Sequence, residues 1–330
     1  MRRQTVAQSR AGGGRSAFAL ARYKVQALGL VLLLGGLASA APAQAWNATG
    51  HRLIAEIAWQ SLDPATRSKI DHLLQAHPDY ARWQGRGEQE TRDESAFVEA
   101  STWADEIRHD PRFAGSEGGT TGDTPVLPGF PDMAAHRDWH FIDRPTNLLA
   151  DQESQHGQLD EQLPRLSATL GNNAEGEASR AWALVWLVHL VGDAHQPLHV
   201  GCRIDQDGNS DEGGNAVKVS LAYANRPRVT SLHAYWDDLP GTNALRGDAL
   251  VREASRLRVA NPPPAPAGNF KTWLNESYRL ARDVGYPQGE GSPLLIDSDF
   301  NRRAQGIAQQ RLSWAGYRLA SMLRQLLRRD

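Results

Sequence analysis

The chain is poor in cysteine: Cys202 is the one cysteine in 330 residues. No internal disulfide can form, so the fold must be held by its apolar core, by metal ions, or by both. A run long enough to cross a membrane is also missing. The longest apolar stretch, from Val25 to Ala38, has about 14 residues where a spanning helix needs roughly 20. Basic charge is not in excess, with 36 Lys and Arg against 38 Asp and Glu. There is no internal repeat and no alternation of long strands with helices, which leaves one mainly α domain as the expected architecture.

The start of the chain reads as an export signal. Arg2, Arg3, Arg10, Arg15, Arg22 and Lys24 form a basic head without acids, the apolar stretch follows, and Ala43-Gln44-Ala45 supplies a small-x-small site directly before Trp46. Residues 1–45 are therefore expected to be a secretory signal peptide, with residues 46–330 exported to the periplasm or beyond. Arg2-Arg3 lies too far from the apolar run to weigh as a twin-arginine signal. Without its leader the chain has 30 basic and 38 acidic residues, a net charge of −8. So acidic a protein is a poor candidate for gripping duplex DNA with a basic stripe. If it binds phosphates, bound cations must attract them.

Several helices are predicted by periodicity and capping residues. They cover about 50–62, a second beginning at Asp63-Pro64, and about 92–108. A central one at about 179–193 is apolar nearly all round, and others fall near 232–239, 270–284 and 301–327. Residues 115–131 read as a loop, 139–142 as a short extended segment, 201–215 as a polar Gly-rich stretch, and 216–219 as a short strand.

Into the apolar central helix the sequence places His189 and Asp193, four apart and so about 40° apart on one face. Pro197 ends the helix, and His199 falls just beyond the turn. His195, six residues after His189, points about 120° away from it. His233 and Asp237 repeat the four-residue spacing. His51, Asp105 and His140 lie in apolar or aromatic surroundings. Each has an ordinary reading on its own, as a capping histidine, a solvated helix acid or a buried hydrogen-bonded pair. Together they are five histidines and three aspartates, and burying so many polar groups without a common partner costs roughly several kcal/mol apiece. A shared set of metal ions removes that cost. His72, His77, His109, His136 and His156 sit in polar or loop contexts and carry no assignment. If cleavage falls before Trp46, its amine and carbonyl form a five-membered chelate that His51 can share.

These motifs, in order, resemble the zinc-dependent single-strand-specific nuclease and 3′-nucleotidase family (the nuclease S-one and P-one type). They are Trp46 with Gly50-His51, Trp103-Ala104-Asp105, Trp139-His140-Phe141-Ile142-Asp143, His189-x3-Asp193-x2-Gln196-Pro197-Leu198-His199, Gly213-Gly214-Asn215 and Leu232-His233-x2-Trp236-Asp237. The resemblance spans essentially the whole chain after the leader. It implies a mostly helical fold shared with a bacterial zinc phospholipase C, and three zinc ions in a cleft. On its terms Asp105, His140, His189 and Asp193 hold the first ion. Trp46 and His51 hold the second, with Asp193 bridging, and His199, His233 and Asp237 hold the third. Arg108 matches a basic residue near the scissile phosphate and Asp143 a carboxylate that orients the attacking water, while Phe141 and Asn215 match base contacts.

The implied substrates are single-stranded DNA and RNA, cut to 5′-phosphate products, and 3′-nucleotides. A monomer without stable membrane association is expected. Two departures stand out: fungal members carry disulfides, and the stretch 201–212 is longer than the family spacing. Two other readings remain at this stage, a zinc phospholipase C-like phosphoesterase and a non-catalytic zinc-binding protein. Turnover of single-stranded nucleic acid, of phosphatidylcholine or of neither separates them.

Overall fold

The structure, a computed structural model, describes residues 46–85, 91–113, 125–147, 156–221 and 228–329. The expected signal peptide lies outside the described residues. Eleven α-helices occur among them: α1 (Ala48–Ser61), α2 (Pro64–Gln75), α3 (Tyr80–Gln84), α4 (Arg92–Ala100), α5 (Trp103–Glu106), α6 (Leu159–Leu170), α7 (Glu177–Asp193), α8 (Leu232–Asp237), α9 (Gly247–Ala260), α10 (Phe270–Val284) and α11 (Ser298–Leu326). The short strands are β1 (Arg144–Pro145), β2 (Gly201–Cys202), β3 (Lys218–Leu221), β4 (Val229–Ser231) and β5 (Leu294–Ile296). The protein is mainly helical, as its sequence leads one to expect.

Local chemistry explains the helix starts. Asn47 caps α1 by accepting from the Thr49 and Gly50 amides, and Asp63 caps α2 by accepting from Thr66, with Pro64 in the first helical position. The apolar α7 is buried from Arg180 through Asp193 and packs against α1, α2, α5, α6 and α11. A smaller core gathers Leu198, Val219, Tyr235, Trp236, Ile296 and Phe300 beneath a sheet of order β4-β3-β5. In that sheet β3 is antiparallel to β4 and parallel to β5. Among the described residues, no helix is long and apolar enough to cross a membrane.

Four expectations need correction. The helix predicted over 92–108 is broken after Ala100. Ser101 Oγ donates to the Val98 carbonyl at 2.6 Å and Thr102 Oγ1 to that of Glu99 at 2.9 Å, so hydroxyls take acceptors that a continuing helix needs. The chain resumes as α5 and ends in a 3₁₀ turn, Ile107–His109. Residues 139–142 are not uniformly extended: a 3₁₀ turn spans Arg137–His140, and the backbone straightens only at Phe141. His136, at φ 43°, stacks on Trp139 with ring centres 3.7 Å apart, which fixes this turn against Trp182 and Trp186. The strand predicted over 216–219 lies two residues later, because Ala216 and Val217 close a turn onto Asp211 and Gly214. Helices α3, α6 and α9 had no counterpart in the sequence reading.

Candidate metal centre

The last turn of α7 carries His189 and Asp193, both fully buried. From α1, His51 lays its ring on that of His189, with centroids 3.8 Å apart and planes within 11°. Only glycine at 192 allows this, since a Cβ there would meet His51 Nδ1 at 2.9 Å. His51 Nε2 stands 3.4 Å from Asp193 Oδ1. On the other side of Asp193, its Oδ2 lies 3.0 Å from His140 Nδ1 and 3.3 Å from His189 Nε2. Asp105 Oδ1, on α5, is 3.8 Å from His189 Nε2 and 3.9 Å from His140 Nδ1, and Arg108 Nη2 is 3.2 Å from the same oxygen. Farther along, His233 Nε2 on α8 is 3.1 Å from His199 Nε2 and 3.5 Å from Asp237 Oδ2.

Three groups can therefore each hold a metal ion: His51, His189 and Asp193; Asp105, His140 and His189; and His199, His233 and Asp237. His189 belongs to the first two, and Asp193 touches the ligands of both.

The tautomers provide a test of fit. His189 Nδ1 faces the Ser101 carbonyl at 2.7 Å, His199 Nδ1 that of His140 at 2.7 Å, and His233 Nδ1 that of Gly213 at 2.8 Å. A carbonyl can only accept, so each Nδ1 donates, and in the neutral ring each Nε2 presents a bare lone pair. Two such lone pairs, on His199 and His233, then point at each other across 3.1 Å. His189 Nε2 meets His140 Nδ1 at 3.1 Å, and that Nδ1 lies 3.0 Å from Asp193 Oδ2. Facing acceptors of this kind repel unless a cation lies among them, and histidines anchored through Nδ1 to carbonyls are the arrangement that metal ligands adopt. Both nitrogens of His51, Nε2 of His140 and Oδ1 of Asp193 are also buried without hydrogen-bond partners. The residues fit a metal centre.

Electrostatics agree. Burial first, and then neighbouring cationic groups, hold His51 and His140 well below the usual histidine range, so both are neutral near pH 7. Burial alone would lower His189 too, but Asp193 and Asp105 more than offset it and its pKa is raised. Burial lifts Asp193 to about 6 against the pull of His189, and lifts Asp237 well above the carboxylate range. A bound cation would favour the charged form of both carboxylates against this burial.

The remaining predicted residues lie as follows. Trp46 is buried against Gly50, and its neighbour Asn47 donates its amide to the Asp237 carbonyl at 3.1 Å. The expected cleavage point before Trp46 lies outside the described residues. Asp143 is half-buried with Ser210 Oγ at 3.4 Å, and burial raises its pKa to about 6. Phe141 is half-buried, and the Asn215 side chain donates to the Glu212 carbonyl at 2.8 Å. The long stretch 201–212 folds back on itself through an Ile204–Ser210 bridge, which carries Ser210 to Asp143.

His195 faces away from the three groups. Its Nδ1 donates to the Val191 carbonyl at 2.7 Å, and its Nε2 accepts from Arg318 on α11 at 2.9 Å. The sequence reading missed the carbonyl anchors at Ser101 and Gly213, as well as the buried amide of Gln196. The Gly213-Gly214 pair is the one signal that pointed there. Gly213 has φ 59°, and a Cβ on it would lie 2.3 Å from the Leu198 carbonyl oxygen.

Comparison with known proteins adds independent observations. The family model described as S1/P1 Nuclease matches residues 46–328. The chain is 26% identical to Endonuclease 1 of Arabidopsis thaliana, over 91% of this chain and 94% of that protein. It is 22% identical to Nuclease P1 of Penicillium citrinum over 85% and 97% of the two chains. With Nuclease S1 of Aspergillus oryzae (strain ATCC 42149 / RIB 40) it shares 25% identity over 62% and 58%.

Proposed function

The chain belongs to the S1/P1 nuclease family, and on that premise we propose that it is an exported, zinc-dependent endonuclease. It hydrolyses phosphodiester bonds of single-stranded DNA and RNA to 5′-phosphate products and removes the phosphate of 3′-nucleotides. The observation that carries this reading is the facing of the bare His199 and His233 nitrogens at 3.1 Å beside buried Asp237.

Asp105, His140, His189 and Asp193 would hold one zinc ion. His51 with the Trp46 amine and carbonyl would hold a second, sharing Asp193, and His199, His233 and Asp237 would hold the third. When bound, zinc polarises phosphoryl oxygens and makes water nucleophilic near neutral pH. The chain's own residues do the rest. Arg108, held by Asp105 at 3.2 Å, places its guanidinium at the edge of the centre, where it neutralises charge on the phosphate's non-bridging oxygens. Asp143 accepts a hydrogen bond from the attacking water and keeps its lone pair aimed at phosphorus. With a pKa of about 6, Asp143 does this as a carboxylate above that pH and loses the capacity below it. Phe141 offers a ring on which a splayed base stacks, and Asn215 an amide edge, which suits single strands better than duplex. Leader removal frees the Trp46 amine, so the centre is completed only after export, and the processed protein acts as a monomer.

Incubation of purified protein with single-stranded DNA and with 3′-AMP tests the proposal. The expected products are 5′-phosphorylated fragments with free 3′-hydroxyls, together with adenosine and inorganic phosphate. A zinc-loaded protein that cleaves neither substrate rules the reading out.

A further inference from the structure

Between Asp193 and His199 the chain carries two polar side chains that none of the three groups uses, His195, which turns away toward Arg318, and Gln196, which turns toward Asp237. Gln196 is fully buried, and both ends of its amide are committed. Its Oε1 lies 2.5 Å from the Leu198 amide nitrogen, and its Nε2 lies 2.8 Å from Asp237 Oδ1. An N–H can be met only by an acceptor, so the Leu198 contact fixes which end is oxygen, and the Gln196 NH₂ must then donate to Asp237. The backbone around it is closed as well: Gln196 N donates to the Asp193 carbonyl at 3.0 Å, and His199 N to the Gln196 carbonyl at 3.2 Å. One reversal of the chain thus positions Asp193, Gln196 and His199 together.

Asp237 is consequently held from two sides. Its carbonyl accepts from Asn47 at the start of α1, and its Oδ1 accepts from Gln196. Oδ2 turns toward His233 Nε2 at 3.5 Å, and Oδ1, besides its bond from Gln196, stands 4.0 Å from His199 Nε2. The donor's chemistry matters too. Asp105 is met by the cation of Arg108, whereas Asp237 is met by a neutral amide, which brings no countercharge. We propose that Gln196 is a positioning residue for the His199, His233 and Asp237 group, tying Asp237 to the reversal after α7 and fixing how its carboxylate faces the two histidines. The proposal rests on the zinc reading above, and its test separates the two.

Two variants divide the possibilities. Gln196→Glu keeps an oxygen for the Leu198 amide but replaces the donor facing Asp237 with a second acceptor. Gln196→Met keeps the volume and removes both bonds. Zinc affinity of wild type and variants is measured by competition with a chelating dye, and cobalt-substituted samples are followed by visible absorbance. The expected result is two ions held as in wild type and one weakened about 10–100-fold in both variants, the size usual for loss of a hydrogen bond to a metal ligand. The cobalt spectrum should lose the contribution of one site.

Wild-type affinity for all ions in either folded variant overturns the assignment. Equal weakening of every ion also overturns it, and so does failure of both variants to fold, because Gln196 would then serve the turn and not Asp237. A wild-type chain that binds no zinc is a different result, and it contradicts the zinc reading itself.

Discussion

Asp193 is the residue on which the centre turns, since its two oxygens face different partners, His51 at 3.4 Å and His140 at 3.0 Å. Asp193→Asn removes the charge that both neighbouring groups share. It is expected to lower metal content by at least one ion and single-strand cleavage by more than about 100-fold. Elemental analysis beside an activity assay checks both. Gly213→Ala acts indirectly, by forcing a Cβ into the Leu198 carbonyl at a positive φ. Strain of roughly 1–3 kcal/mol should lower the melting temperature, and the displaced Gly213 carbonyl should weaken the ion at His233 while the others stay bound. His195 offers a contrast within the same motif. His195→Ala removes an acceptor from buried Arg318 and opens a cavity, so about 2–4 kcal/mol of stability should be lost in denaturant titration. Three ions should still bind at saturating zinc.

Among the elements, the amphipathic α6 and α9 were not read, whereas α1, α2, α7, α8, α10 and α11 appear where spacing, caps and apolar content place them, within a few residues. Their signal is local, because a capping side chain and an apolar stripe belong to the same few turns. The break after Ala100 was not legible, since it depends on hydroxyls choosing carbonyls over solvent. The freed Ser101 carbonyl then acquires meaning only from His189, 88 residues away. In the same way the motifs named side chains that converge in the structure, while the carbonyls that set their tautomers come from distant turns.

One helix also carries a pH dependence of its own. Glu56 on α1 is buried near Glu94 on α4 and accepts from Gln60 at 2.6 Å; burial first, then Glu94, raises its pKa to about 7. A carboxyl raised above its unfolded value favours the fold below the unfolded pKa of about 4.5, and that contribution is lost as pH rises through about 7. Glu56→Gln should therefore raise the melting temperature at pH 8 and leave it nearly unchanged at pH 4, as read by thermal denaturation.

For the molecule as a whole, charge and cohesion meet at the metal centre. The chain after residue 45 has an excess of eight acidic residues and a single buried cysteine. It has neither a basic surplus to draw phosphate nor a disulfide to close its loops. Bound divalent ions would meet both needs, by attracting phosphate into an acidic protein and by joining α1, α5, α7 and α8 through their side chains. Chelation should then lower the melting temperature in proportion to the ions removed, and restored zinc should recover it. The most direct measurement is the metal content of the purified protein, with its N-terminus determined, by elemental analysis. An N-terminus at Trp46 and three zinc ions per chain are expected, and fewer than two ions would refute the three-ion centre.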